Sequence, residues 1–372
     1  MGKTIIMTVS TDLVNDQRVK KVCDTLHNMD FRITLVGRKL KNSPPMDIRP
    51  YTTKRLPLVF SKGKLFYAEM NIRLFFYLLF HKCDIYHAND LDTLLPNVLI
   101  SRLKRKPLIY DSHEYFTEVA ELVTRPFVQR IWKRIERYCI PKVDHMFTVC
   151  PSIAGLYQQE YHRQVDVMRN IPPRQMPVNT RSRRELHLPE DRPVLILQGT
   201  GINIHRGSEE LVEAMQYIPQ ALLLVIGDGD VIPALKQMSK QQGTSDRILF
   251  IPRMPFEELY HYTANADIGF SLDKNISINH LYALPNKLFD YIRAQIPVIA
   301  SPMIEIARII QHYHIGIVID NIDARTIAQN VNALLADPDQ IAAMKHHLQI
   351  ASQELCWENE AKSLQKVYEQ YC

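Results

Sequence analysis

The sequence has no close-spaced cysteine pair, no long apolar run and no internal repeat. Its six cysteines (Cys23, Cys83, Cys139, Cys150, Cys356 and Cys372) are scattered. None forms a C-x-x-C pair, so neither a zinc knuckle nor a redox motif is signalled. A reducing cytoplasm is the expected compartment. The most apolar stretch, Leu74 to Phe80, is too short to span a bilayer. The first residues read as entering a strand at Lys3, so a secretory leader is not expected. No nucleic-acid motif occurs and the basic residues are dispersed, which argues against a nucleic-acid partner. A dinucleotide fingerprint starting at Gly199 would need glycine at position 204, where Ile204 stands, so a nicotinamide dehydrogenase is disfavoured. No D-x-D motif stands in a loop suited to holding a metal.

What is present is ordinary globular material in quantity for two domains. The chain has 372 residues, 46% hydrophobic and 23% charged. Its net charge of +5 is unevenly placed. Residues 1–150 hold 25 basic and 15 acidic side chains, and the remainder 20 and 25. A basic first half (+10) beside a mildly acidic second half (−5) points the first half at an anionic surface or substrate, such as an anionic membrane face or a lipid-diphosphate acceptor.

Apolar runs of strand length alternate with helical periodicity, which predicts parallel-sheet units. Ile5 to Val9 reads as a first buried strand, Arg18 to Met29 as a helix, and Ile33 to Val36 as a second strand. Lys41 to Pro57 reads as a proline-rich loop. Lys64 to Phe80 has helical period and many aromatic residues. It is read as a core helix packed on the sheet, and a membrane-surface helix is the alternative, with Lys62, Lys64, Arg73 and Lys82 around it. Two strands then hand over to polar clusters, Asn89-Asp90-Leu91-Asp92 and Ser112-His113-Glu114. Open parallel sheets bind ligands at such carboxyl ends. Pro172 to Arg192 reads as a linker and hinge. A second unit begins at Val194 to Gly199, followed by Thr200, Gly201 and Arg206-Gly207, a two-glycine loop with a basic residue that suits a diphosphate. Gly227-Asp228-Gly229-Asp230 reads as a tight turn where backbone can approach a ligand. The loop Leu272 to Ala283, with Asp273 in it, is polar and expected to overhang a ligand cleft.

The stretch around which these parts are organised is Leu284 to Ser301, LPNKLFDYIRAQIPVIAS. Asn286 is a candidate N-cap. Leu288, Tyr291 and Ile292 share one helical face, and Val298 to Ala300 is a buried strand. A helix start offers N–H groups and partial positive charge to a phosphate. Lys287 would add a charge, and Asp290, one turn on, would reach a ribose. An ordinary helix with Asp290 near its positive end is the plainer reading.

This stretch resembles the donor-site helix of family 4 glycosyltransferases of the GT-B fold. Asp290 stands where the family usually has Glu, Tyr282 where many members have an earlier Glu, and Gln295 where Gly is usual. The strings IYHANDLDTLLP and YDSHEYF, and the segment Asn15 to Val19, resemble further motifs of the same family in order and spacing. The resemblance covers nearly the whole chain. It implies an α/β GT-B fold: two Rossmann-like domains facing a cleft, residues 1–172 on the acceptor side and 173–355 on the nucleotide-sugar side, with 356–372 crossing back. It implies transfer of a sugar from a UDP- or GDP-sugar to a glycan or lipid-linked acceptor, with retained configuration, no metal and no cofactor. His113 and Glu114 would flank the sugar, and Arg206 and Lys287 would neutralise the leaving diphosphate. Gly199, Thr200, Gly201, Gly227, Asp228, Asn286, Leu288 and Asp290 would line the donor. Asp16, Arg18, Asn89 and Asp90 would face the cleft and acceptor, although Asp16 and Arg18 are equally readable as helix cap and decoration. The expected setting is cytoplasmic, with possible peripheral contact at an anionic inner membrane face, in cell-wall, capsule or lipid-linked glycan assembly. A nucleotide-sugar 2-epimerase and a non-catalytic binding or scaffold protein are the alternatives.

Overall fold

The computed structural model describes residues 2–14, 16–174 and 180–372. Asn15 of the first motif and residues 175–179 of the expected linker lie outside them. The chain divides into two units, Met1–Asn170 with Asn359–Cys372, and Ile171–Glu358.

Among the described residues the first unit holds seven parallel strands: β1 (Thr4–Thr8), β2 (Arg32–Lys39), β3 (Thr52–Pro57), β4 (Ile85–Asn89), β5 (Leu108–Ser112), β6 (His145–Thr148) and β7 (Asp166–Val167). Their spatial order is β3-β2-β1-β4-β5-β6-β7. The strand β3 falls where the proline-rich loop was expected. It pairs with β2 from Thr34↔Thr52 to Lys39↔Pro57. Only Leu56 of its six residues is buried. A polar edge strand has no apolar run to betray it, so the loop reading was wrong there.

Among the described residues the second unit holds six parallel strands: β8 (Val194–Gly199), β9 (Leu222–Gly227), β10 (Ile248–Pro252), β11 (Ile268–Ser271), β12 (Val298–Ala300) and β13 (Gly316–Val318), in the order β10-β9-β8-β11-β12-β13. Alternate residues of β8 serve opposite cores. Leu195 and Leu197 pack on one face, Val194 and Ile196 on the other. Both faces are therefore covered by helices, which is why these strands read as continuous apolar runs.

The order of both sheets reverses direction beside the first strand, at β1/β4 and at β8/β11. Loops leaving the carboxyl ends of those strands are splayed apart there, which is where open α/β sheets accept ligands. The terminal helix Trp357–Glu369 brings Tyr368 into the first unit. Its hydroxyl lies 2.6 Å from His87 Nδ1 on β4, and its ring meets Phe31 edge-on.

Candidate active-site residues

In the second unit, the helix Asn286–Ala294 starts directly after Pro285. Pro285 takes the cap position and no side chain caps the helix, so Asn286 is the first helical residue and not the N-cap. Leu288 is fully buried and its N–H donates to the Pro285 carbonyl at 3.1 Å, so it is core rather than a donor contact. Tyr291 and Ile292 are buried with it, as the periodicity predicted.

Arg206 and Lys287 are brought together by a carboxylate that the sequence reading placed elsewhere. Asp273 was expected to overhang a ligand cleft. It is 2% exposed instead, with Oδ1 2.6 Å from Arg206 Nη1 and Oδ2 3.4 Å from Lys287 Nζ. Burial alone would raise the Asp273 pKa, but Lys287 and Arg206 outweigh it and hold the carboxyl below its ordinary value. The two cations keep 34% and 13% of their side-chain surface exposed. They can still meet an anion.

Asp290 is held in the same way. Gln198 Nε2 donates to Asp290 Oδ2 at 3.0 Å, and Gln198 Oε1 accepts from Thr263 at 2.7 Å. Gln198 escaped the sequence reading. The available signal was a polar residue closing an otherwise apolar strand, Val194 to Gly199.

The glycine turns also divide their labour. A Cβ at Gly227 would lie 1.7 Å from the Gly199 carbonyl oxygen, and one at Gly229 would lie 2.0 Å from that of Ile202. Loop-on-loop packing therefore requires glycine at both positions. The loops are tied by Ile202 N–H to Asp228 O at 3.0 Å and Asp228 N–H to Gly199 O at 3.2 Å. The Asp228 carboxylate accepts from its own turn, at Gly229 N–H. Thr200 and Gly201 are exposed, and a Cβ at Gly199 or Gly201 would meet nothing closer than 3.9 Å.

In the first unit the two polar clusters after β4 and β5 form one network. The Asp90 carboxylate accepts from His113 N–H at 2.8 Å and lies 3.1 Å from His113 Nδ1. The other ring nitrogen is 3.4 Å from Asp111 Oδ2 and 3.3 Å from Asn89 Oδ1. Burial opposes charge on His113, but Asp90 and Asp111 outweigh it and raise its pKa to about 10. The two carboxylates at its ring nitrogens therefore favour the imidazolium form, whose N–H groups both point at acceptors within the fold. Burial, with Asp90 and Glu121 nearby, raises Glu114 to about 8. Asp92 rises to about 7 for the same reason, burial first and then Asp90. It is 6% exposed and its Oδ1 is buried without a hydrogen-bond partner among the described residues.

Of the residues expected to face an acceptor, Asp90 and Asn89 contact His113, and Arg18 shares Asp111 with it. Asp90 adopts φ 59°, ψ 161°, a costly conformation for a non-glycine residue, held by the bonds to His113 and by its N–H to Asp111 O at 2.9 Å. Asn89 is buried and donates to Thr8 O at 3.0 Å. Arg18 is 4% exposed, 2.6 Å from Asp111 Oδ1, and donates to Met168 O at 2.8 Å. Asp16 caps the helix Gln17–Asn28 through Val19 N–H at 3.1 Å. For Asp16 the plainer of the two readings holds, and the Arg18 charge is spent inside the fold. No group of three or more His, Cys, Asp or Glu suited to a metal ion occurs among the described residues.

Comparison with known proteins agrees with this division. Residues 17–173 match the family model described as Glycosyltransferase Family 4, and residues 178–351 match the one described as Glycosyl transferases group 1. The two matches support a GT4-like glycosyltransferase. A D-inositol 3-phosphate glycosyltransferase of Xylanimonas cellulosilytica is 25% identical over 203 residues, 51% of this chain and 45% of that protein. A GDP-mannose-dependent alpha-(1-6)-phosphatidylinositol monomannoside mannosyltransferase of Mycolicibacterium smegmatis is 27% identical over 167 residues, 41% of each. The chain spans less than half the length of either relative in these matches. Sucrose-phosphate synthase from Thermosynechococcus elongatus superposes with TM-score 0.80 at 18% identity, covering 99% of both chains. The fold is accordingly GT-B, with two Rossmann-like domains.

Proposed function

We infer that the protein transfers a sugar from a UDP- or GDP-sugar to an acceptor hydroxyl on a glycan or lipid-linked glycan, with retained configuration and without a metal ion. The observation that carries this reading is the convergence of Arg206 and Lys287 on one buried carboxylate, Asp273. Two cations fixed side by side, with surface still exposed, suit the two phosphates of a leaving nucleoside diphosphate. They would supply the charge stabilisation that a metal gives in other transferases. Asp290, steadied by Gln198, would take the ribose hydroxyls. Gly199 and Gly201 would admit the phosphates to backbone. In the first unit, His113, its ring nitrogens held by Asp90 and Asp111, would contact the sugar near the reacting carbon. Glu114 and Asp92, raised to about 8 and 7, would take hydroxyls of the sugar or acceptor. The relatives named above support sugar transfer, and one is GDP-mannose-dependent by name. A lipid-linked acceptor would bring the protein to the cytoplasmic face of an anionic membrane.

The test is a thermal-shift and calorimetry panel of UDP, GDP and ADP on wild type, Asp290→Ala and Arg206→Ala. One nucleotide is expected to raise the melting temperature with concentration, and both substitutions to weaken it. Absence of binding at millimolar nucleotide would defeat the reading. Proton NMR of the product's anomeric centre tests retention, and turnover in chelator tests metal independence.

A further inference from the structure

The helix Gly63–Phe80 is apolar on two opposite faces. Phe66, Met70, Leu74 and Leu78 form the buried one. Leu65, Ile72, Phe76 and Phe80, spaced seven, four and four residues apart, form the other, between 50% and 76% exposed. The loop before the helix extends this second stripe. The Glu69 carboxylate accepts the N–H groups of Val59 and Phe60 at 3.0–3.1 Å, and so pins two more exposed apolar residues against the helix. The stripe runs for about 22 Å along the axis at 1.5 Å per residue. A stripe of this length is more than scattered surface apolar residues, and it calls for an occupant.

Its surroundings indicate which occupant. Between residues 58 and 83 the charged side chains are Lys62, Lys64, Arg73, Lys82 and Glu69. Glu69, the single acid, is spent on two backbone N–H groups and on Arg73 Nε at 2.8 Å. Lys62, Lys64 and Lys82 are exposed at the two ends of the helix. Apolar side chains flanked by lysines, with no free acid among them, complement anionic headgroups over an acyl layer better than they complement a protein surface. No helix among the described residues is long and apolar enough to cross a membrane, so any attachment through this helix lies in the interface. The opposite edge of the helix reaches the polar network. Asn71 donates to Asp92 O at 2.8 Å, and Arg38 lies 5.1 Å over the Phe66 ring.

We propose that the face formed by Val59, Phe60, Leu65, Ile72, Phe76 and Phe80 docks the protein on an anionic lipid bilayer. Docking there places the membrane beside the Asp92 end of the first unit, where a lipid-linked acceptor is needed. The inference draws on the transferase reading for its purpose only. Lipid binding is measured without a sugar donor, so either can fail alone.

The experiment is vesicle flotation of the full chain, using phosphatidylcholine alone or phosphatidylcholine mixed with phosphatidylglycerol. Wild type is expected to float with the mixed vesicles, less with the neutral ones, and less as salt rises. The triple variant Ile72→Ser, Phe76→Ser, Phe80→Ser is expected to lose roughly tenfold or more in binding, since each side chain forfeits buried apolar area. Its melting temperature should stay unchanged because the three positions are exposed. A second variant, Lys62→Ser, Lys64→Ser, Lys82→Ser, should abolish the preference for phosphatidylglycerol while leaving the fold intact. Failure of wild type to float, equal binding to both vesicles, or undiminished binding of the triple variant would overturn the proposal. So would light scattering that shows a wild-type dimer which the triple variant abolishes, because a second copy would then cover the face.

Discussion

Asp111 and Asp273 are one device put to two uses. Each is a buried carboxylate at or just beyond the carboxyl end of a parallel strand, and each holds two cationic side chains. In the first unit the held guanidinium is itself buried. Arg18 is 4% exposed and divides its N–H groups between Asp111 and Met168 O. In the second unit the held cations reach the surface, and Asp273 leaves part of Arg206 and Lys287 free to face outward. A buried carboxylate is expensive in either place and persists only because charge partners offset its desolvation. What differs is whether those partners are consumed by the fold or presented by it. The same chemistry therefore reads as architecture at Arg18 and as an exposed charge at Arg206.

That contrast is open to direct attack, and the largest effect is expected at Asp111. Asp111→Asn strands Arg18 in the interior and should cost about 3–5 kcal/mol in urea unfolding. A cost below about 1 kcal/mol would put the pair on the footing of a surface ion pair and erase the distinction. Asp273→Asn leaves its cations able to hydrate, so a smaller loss of about 1–2 kcal/mol is expected. Affinity for the nucleoside diphosphate, measured by calorimetry, should fall roughly tenfold as Arg206 and Lys287 lose their shared anchor. Unchanged affinity would show that the cations need no tether. Gln198→Ala removes the hydrogen bond from Gln198 Nε2 to the Asp290 carboxylate and should weaken nucleotide binding about threefold to tenfold, at about 1 kcal/mol of stability.

The gentlest probe is pH. His113 has its pKa raised from 6.5 to about 10 in the fold. Its stabilising contribution is fully present below pH 6.5 and is lost as pH rises towards 10. The gap in melting temperature between wild type and His113→Gln should narrow across that window. A constant gap would mean that His113 is neutral in the fold. Asp111 works in the opposite sense. Its carboxyl is held below its ordinary 3.8 by Arg18 and His113 despite burial, so its contribution is present above pH 3.8 and lost in acid.

The fold was largely legible in the chain because buried parallel strands are apolar without interruption and helices repeat every three to four residues. Ile5 to Val9, Val194 to Gly199 and Val298 to Ala300 needed nothing further. The edge strand Thr52–Pro57 was illegible because one buried residue in six makes no pattern. The candidate site was legible as a set of residue types: His113 stood out after a strand, Arg206 in a glycine loop, and Lys287 and Asp290 at a helix start.

Their relations were not legible. Gln198 and Asp290 are 92 residues apart, Arg206 and Asp273 67, and Arg18 and Asp111 93. Local pattern carries propensity and periodicity, which act over a turn or a strand. Which carboxylate a cation meets, and whether it then faces water, depends on how strand ends are set side by side in the sheet. Arg18 and Arg206 look alike in the chain, and only the packing around each separates a core ion pair from an exposed charge.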